Sequence, residues 1–108
     1  MEIMIHACPS RMWYVNNYMI PALTAQGIPR NEIAVWNDSN GDGNLKSCML
    51  SFAECAKHDG DTWHLQDDVL ISTKFKMITE LLSVEKIIAC GFSCVYDEGV
   101  KPGTCKAR

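Results

Sequence analysis

The sequence has no long apolar run and no surplus of positive charge. No apolar segment among its 108 residues approaches the ~20 residues that a membrane-spanning helix needs. No basic region precedes an apolar core at the N-terminus, so we expect no signal peptide and a cytoplasmic location. The formal net charge is −3 with acids and bases scattered, which argues against a general nucleic-acid binder, because such proteins present a basic face.

The sequence also contains no Cys-x-x-Cys pair, although it has six cysteines. Without a secretion signal, this number of cysteines does not predict a disulfide framework. Most of them lie inside apolar runs, where cysteine behaves as a small core residue. One alternative is a zinc site, although its spacing fits no common zinc pattern; it would use Cys48, Cys55, His58 and His64.

The order of apolar patterns predicts a single α/β domain over residues 1–108. Short apolar runs bounded by turn residues predict strands at 2–7, 32–36, 62–65 and 86–92. Helical spacing predicts helices at 12–26, 45–57 and 73–82, and residues 97–108 are expected to be an irregular tail. Strands that alternate with helices form right-handed crossovers, so we expect a mainly parallel sheet with helices on both faces.

Each predicted helix has a feature that the fold must accommodate. Pro21 lies inside the first helix, so we expect a kink or a split there. The second helix carries its apolar residues on one side, namely Leu45, Met49, Phe52 and Ala56. Ser72 is expected to cap the third helix, whose predicted buried residues are Phe75, Ile78, Leu81 and Leu82.

Polar residues follow three of the predicted strands. Ser10 and Arg11 follow the first strand, Asp38 follows the second, and the pair Asp67 and Asp68 follows the third. In α/β sheets, ligands bind beyond the carboxyl ends of the strands, where these residues would converge. Two adjacent carboxylates repel each other unless a cation or a proton intervenes. The pattern therefore indicates a ligand site at which the acidic pair binds a hard divalent metal, and the alternative is that the pair only forms a solvated turn.

Aromatic and histidine residues near this edge are expected to be structural. Trp13 and Tyr14 start the first helix, where core packing is the primary expectation and stacking on a nucleobase is the alternative. His6 and His64 lie within predicted strands, and we expect both to be satisfied by packing.

The glycine-rich loop after the second strand resembles a calcium loop. Asp38, Asn40 and Asp42 occupy the first, third and fifth ligand positions of an EF-hand. The twelfth position is Met49 rather than the bidentate glutamate, and a strand precedes the loop where an EF-hand has a helix. Calcium binding at this loop is therefore only an alternative hypothesis.

Two motifs resemble those of GT-A type glycosyltransferases. Gln66-Asp67-Asp68-Val69 is similar to the Glu-Asp-Asp-Val form of the acidic motif in transferases that build lipopolysaccharide and related glycans. The run at 43–52, Gly-Asn-Leu-Lys-Ser-Cys-Met-Leu-Ser-Phe, resembles their Gly-x-x-Gly-Cys-x-Leu-Ser-His helix. The resemblance implies a Rossmann-like three-layer sandwich, equivalent to a truncated GT-A core, that binds a nucleotide-sugar donor.

The resemblance also implies roles for individual residues. A divalent cation, Mn²⁺ or Mg²⁺, would join the diphosphate of the donor to Asp68, and Asp67 would contact the ribose or the metal. Asp38 would meet the base, and Lys46 could approach the donor. Ser10 and Arg11 would line the nucleotide pocket. The sugar would pass to a glycan or another hydroxyl acceptor.

The sequence departs from this family in several places. Gln66 replaces the usual first acid, Phe52 replaces the usual histidine, and the Thr-Tyr-Asn-like loop after the first strand is missing. The acceptor-binding half of the family has no counterpart. A non-catalytic, truncated donor-binding or assembly module is therefore the alternative hypothesis, and an exposed sheet edge would favour pairing into a homodimer.

Overall fold

The computed structural model describes residues 2–84. The contacts within the chain divide it after Lys76 into two units, of which the first carries the sheet. The predicted strand at 86–92 and the tail at 97–108 lie outside the described residues. Among the residues described, no helix is both long and apolar enough to cross a membrane.

Three parallel strands form the sheet of the first unit. Strand β1 (Glu2–Ala7) lies in the centre, with β2 (Ile33–Asn37) on one side and β3 (Thr62–Gln66) on the other. Their register places Ile5 beside Val35 of β2 and beside Leu65 of β3. The predicted parallel α/β sheet is thus confirmed within the described residues.

One face of the sheet carries the apolar core. Alternate residues of β1, Ile3, Ile5 and Ala7, point to this face, because successive side chains of a strand point to opposite sides. The segment that follows β1 covers them with four fully or almost fully buried side chains, Val15, Met19, Leu23 and Ile28.

The covering helical segment, residues 12–24, is interrupted by a wider turn. After a 3₁₀ turn (Pro9–Arg11) come α1 (Met12–Tyr14), a π-helical turn (Val15–Met19) and α2 (Ile20–Thr24). Pro21 has no N–H with which to continue the α-helical hydrogen bonds. The N–H of the preceding Ile20 instead bonds to the carbonyl of Val15, five residues back. The kink or split that was expected at Pro21 therefore takes the form of a π-helical turn before it.

Helix α3 (Asn44–Cys55) packs on the opposite face of the sheet through polar and sulfur-containing residues. Ser47, Ser51 and Cys55 are its buried residues and follow one another at four-residue spacing. Leu45 and Met49, on the apolar side of the helix, are 76% and 64% exposed. The side of α3 that packs on the sheet is polar because this face of the sheet carries His6, His64 and Gln66.

Helix α4 (Phe75–Val84) begins two residues later than predicted. Ser72 was expected to cap it, but its hydroxyl accepts the N–H of Lys74 (3.1 Å), which lies before the first residue of the helix. Leu81 was expected to be buried but is 60% exposed, so that part of the prediction is wrong.

Candidate functional site

A pocket of about 460 Å³ opens at the carboxyl ends of β1 and β3. β2 and β3 lie on opposite sides of β1, so the order in which strands are added to the sheet switches from one side of β1 to the other. Ligand crevices of α/β sheets form at such a switch point. The volume lies in the range of small-molecule sites. Four of the six predicted site residues line the pocket together with two aromatic side chains: Ser10, Arg11, Trp13, Tyr14, Asp67 and Asp68.

Asp67 joins the loops that follow β1 and β3. Its Oδ2 accepts the backbone N–H of Cys8 at 3.0 Å, and its Oδ1 lies 3.8 Å from Nε of Arg11. The side chain of Asp67 is 13% exposed, whereas that of Arg11 is 53% exposed. Asp67 is therefore mostly engaged by the protein, while the guanidinium of Arg11 still reaches solvent at the pocket.

Asp68 is the exposed carboxylate of the pocket. Its oxygens are ligands of the kind that Mg²⁺ and Mn²⁺ prefer, and Mg²⁺ is commonly held by one or two carboxylates plus substrate phosphates. Within residues 2–84, no group of three or more His, Cys, Asp or Glu side chains is arranged to hold a metal ion. The acidic pair fits a cation whose remaining ligands come from a bound phosphate compound and water.

Aromatic rings form one wall of the pocket. Trp13 is 60% exposed, so the expectation that it packs in the core is wrong. Its ring meets that of Tyr18 edge to face at 6.0 Å, and Tyr18 stacks on Tyr14 at 5.5 Å. The hydroxyl of Tyr14 donates to the carbonyl of Val69 (2.8 Å), which ties the wall to the chain that follows Asp68. An exposed ring beside polar groups can pack on a planar or saturated ligand ring.

Asp38 and Lys46 are not among the residues that line this pocket. The carboxylate of Asp38 accepts the backbone N–H groups of Asp42 (2.9 Å) and Gly43 (3.1 Å). Lys46, in the first turn of α3, lies 3.4 Å from Asp42 of that loop and is largely exposed. Both residues thus organise the glycine-rich loop after β2, and their predicted contacts with a donor base or phosphate stay predictions.

The residues of the alternative zinc site have separate partners. Cys48 Sγ lies 3.9 Å from Nε2 of Gln66, and His58 lies 3.4 Å from the carboxylate of Glu2. Burial, and secondly the charge of Glu2, raise the pKa of the Cys55 thiol. Because zinc binds thiolates, a raised pKa disfavours this cysteine as a ligand.

A buried polar network between the sheet and α3 was not anticipated from the sequence. His6 Nδ1 lies 3.1 Å from Oε1 of Gln66, and His6 Nε2 lies 2.9 Å from the hydroxyl of Ser47. His64 Nε2 lies 2.7 Å from the hydroxyl of Ser51. Two patterns in the sequence could have predicted this network. Two serines lie four residues apart on α3, and polar residues occupy alternate positions of β3, which the parallel register places beside β1.

The bonds of Ser51 determine which nitrogen of His64 carries the proton. Ser51 donates its only hydroxyl hydrogen to the carbonyl of Cys48 at 2.7 Å. Nε2 of His64 must therefore donate to the Ser51 oxygen. Phe52 stacks on the same imidazole at 3.9 Å, nearly parallel to it. Burial, and secondly the neighbouring His6, lower the pKa of His64, which favours the neutral ring.

This lowered pKa predicts that acid weakens the fold. In the unfolded chain His64 binds a proton near pH 6.5, whereas in the folded chain protonation requires a lower pH. The unfolded state then holds more protons, so the free energy of unfolding falls as the pH drops below about 6.5 and levels off below the folded pKa. Urea unfolding between pH 7.5 and 5 measures this. The His64→Gln variant keeps an N–H donor for Ser51 and should show a shallower slope; an unchanged slope would contradict the assignment.

No protein-family model, no curated protein and no solved structure matches the chain.

Proposed function

We propose that this chain is a nucleotide-sugar-binding domain of the glycosyltransferase type, with a Rossmann-like core similar to that of the GT-A fold. Its pocket would hold the diphosphate of a nucleoside diphosphate sugar through Mn²⁺ or Mg²⁺. The observation that carries the proposal is the meeting of the acidic pair after β3 with Ser10 and Arg11 after β1 in one pocket. This combination supplies oxygen ligands for a cation and a guanidinium for a phosphate.

The charges of the pocket support a metal-bridged anion over a free one. Asp67 and Asp68 together outweigh the single positive charge of Arg11, so a bare diphosphate would meet a net negative lining. A divalent cation at Asp68 would make the net charge of the lining positive, and the phosphate oxygens could coordinate that cation directly. When bound, such a cation also offsets the negative charge that develops on a leaving diphosphate.

The protein groups around the cation have distinct tasks in this proposal. Asp68 would bind the cation, and Asp67, held by the N–H of Cys8, would keep the acidic turn in place and hold Arg11 nearby. The remaining N–H groups of Arg11 would donate to phosphate oxygens, and the Ser10 hydroxyl is close enough to the same pocket to join them. The exposed ring of Trp13 would pack on the base or the sugar.

As an enzyme, the protein would transfer the sugar to a glycan or another hydroxyl acceptor. The acceptor oxygen would form a bond to the anomeric carbon and lose its proton, and the bond from that carbon to the diphosphate would break. A non-catalytic donor-binding module is the second candidate. It is favoured because neither carboxylate that lines the pocket would be available to take the proton of the acceptor. Asp67 is engaged by the protein, and Asp68 would be engaged by the proposed cation.

Calorimetry on the whole chain tests the proposal. UDP, GDP and CDP, and their sugar conjugates, are titrated with Mn²⁺, with Mg²⁺ and with EDTA. We expect at least one diphosphate to bind in the presence of the cation and to lose most of its affinity in EDTA. The absence of binding across this panel would refute the proposal. Release of the nucleoside diphosphate from a bound donor, with transfer to an added glycan, separates the enzyme from the binding module.

A further inference from the structure

Two hydrogen bonds connect β1 and its following loop to β3 and its following turn near the pocket. The pairing of the two strands ends at His6 and Gln66, which are direct register partners. On the α3 side their side chains meet, with His6 Nδ1 3.1 Å from Gln66 Oε1. Immediately beyond, the N–H of Cys8 donates to Oδ2 of Asp67 at 3.0 Å. The first hydrogen bond thus joins the ends of the two strands, and the second joins the loop after β1 to the acidic turn after β3.

The orientation of Gln66 makes the first of these bonds directional. The amide nitrogen of Gln66 faces Cys48 Sγ, so the carboxamide oxygen faces His6 and accepts the proton of Nδ1. The other ring nitrogen of His6, Nε2, lies 2.9 Å from the hydroxyl of Ser47. His6 is 5% exposed and Ser47 is fully buried, so we expect the loss of the bond to Gln66 to cost stability.

We propose that Gln66 is a positioning residue of the acidic pocket, which holds the Asp67–Asp68 turn against the Cys8–Arg11 loop by accepting a hydrogen bond from His6. Gln66 does not line the pocket, and it acts through the strand ends. In the part that concerns ligand affinity, this inference depends on the proposed function. The hydrogen bond and its effect on the loop are testable without any ligand.

Two substitutions at this position separate the hydrogen bond from the packing of the side chain. Gln66→Met keeps similar length and volume but offers His6 no oxygen. Gln66→Glu keeps an oxygen that accepts the Nδ1 proton, so it serves as the conservative rescue. The amide of Cys8 reports the link between the loops, since it donates to Asp67. The amide of Asp38, which donates to the carbonyl of Ala7 at 2.8 Å across the other side of β1, is the control.

Amide hydrogen exchange measured by NMR is the first readout. In Gln66→Met we expect the protection of the Cys8 amide to fall at least about tenfold more than that of the Asp38 amide, and in Gln66→Glu to recover. An equal fall at both amides would mean that Gln66 supports only general stability and would overturn the proposal. Retained protection of Cys8 in Gln66→Met would also overturn it.

The second readout is the calorimetric affinity for UDP, GDP and CDP with Mn²⁺. We expect Gln66→Met to bind the best of these ligands at least about tenfold more weakly than the unmodified chain. Unchanged affinity in Gln66→Met, despite a loosened Cys8 amide, would overturn the positioning role. If the unmodified chain binds none of the ligands, the proposed function fails, while the exchange experiment still decides the inference about Gln66.

Discussion

Replacing Asp68 by asparagine is expected to weaken cation-dependent binding of a nucleoside diphosphate by at least about tenfold, or 1.4 kcal/mol. Asp68 is the exposed carboxylate of the pocket, whereas Asp67 is held by the N–H of Cys8 and lies near Arg11. Asparagine keeps the shape of the side chain but removes its negative charge, so the fold should be unaffected. Calorimetry with Mn²⁺ and the diphosphate that binds the unmodified chain measures the loss.

The matched control for this experiment is Asp59→Asn. Asp59 is an exposed residue in the turn before β3, and it does not line the pocket. Its replacement changes the net charge of the protein by the same amount, so it should leave the affinity unchanged. A similar loss in both variants would point to a long-range charge effect. Undiminished, EDTA-sensitive binding in Asp68→Asn would contradict the assignment of Asp68 to the cation.

The same experiments should reveal coupling between the cation and the nucleotide. The acidic pair alone provides few ligands, so Mn²⁺ by itself should bind weakly and more tightly once a diphosphate is present. Coupling of this kind is reciprocal, so the cation must raise the affinity for the nucleotide by the same factor. Tight binding of Mn²⁺ without any nucleotide would instead indicate a self-sufficient metal site.

Leu23→Ala is expected to destabilise the protein by about 2–5 kcal/mol. Leu23 is fully buried in the apolar cluster that also contains Ile5 and Met19, so alanine leaves a cavity in that cluster in addition to the lost burial of its own side chain. Urea unfolding gives the change in the free energy of unfolding. A loss of this size is a large share of the stability of a small domain.

Leu45→Ala makes the same chemical change on a helix surface and serves as the control. Leu45 is 76% exposed on α3, and we expect its replacement to change the stability by no more than about 0.5 kcal/mol. Similar losses in the two variants would mean that this side of α3 is covered in solution. Repeating the measurement at two protein concentrations would then detect self-association, because a homodimer makes the apparent stability depend on concentration.

The strands, their parallel pairing and the approximate helix positions could be predicted because each rests on a local pattern. The short apolar runs that became β1, β2 and β3 are bounded by turn residues, and strands separated by helices pair in parallel. Ser10, Arg11, Asp67 and Asp68 could be placed near one another for the same reason. Residues that follow parallel strands reach one edge of the sheet.

The packed side of α3 could not be predicted in this way. Helical spacing identified a side with Leu45, Met49 and Phe52, and apolar residues normally face the core. In this protein the neighbouring sheet face carries His6, His64 and Gln66, whose nitrogen and oxygen atoms need hydrogen-bond partners once they are buried. The serines of α3 supply those partners. The choice of face therefore depended on which residues the register of the strands places opposite the helix.

The sequence by itself determined the alternation of strands and helices, the disturbance near Pro21 and the acidic turn after β3, since each depends on neighbouring residues along the chain. Tertiary structure alone decided that Asp67 is engaged by Cys8 while Asp68 stays exposed, and that Trp13 lines the pocket. These outcomes depend on contacts between residues far apart in the sequence, and such contacts exist only once the strands are paired and the helices are packed on them.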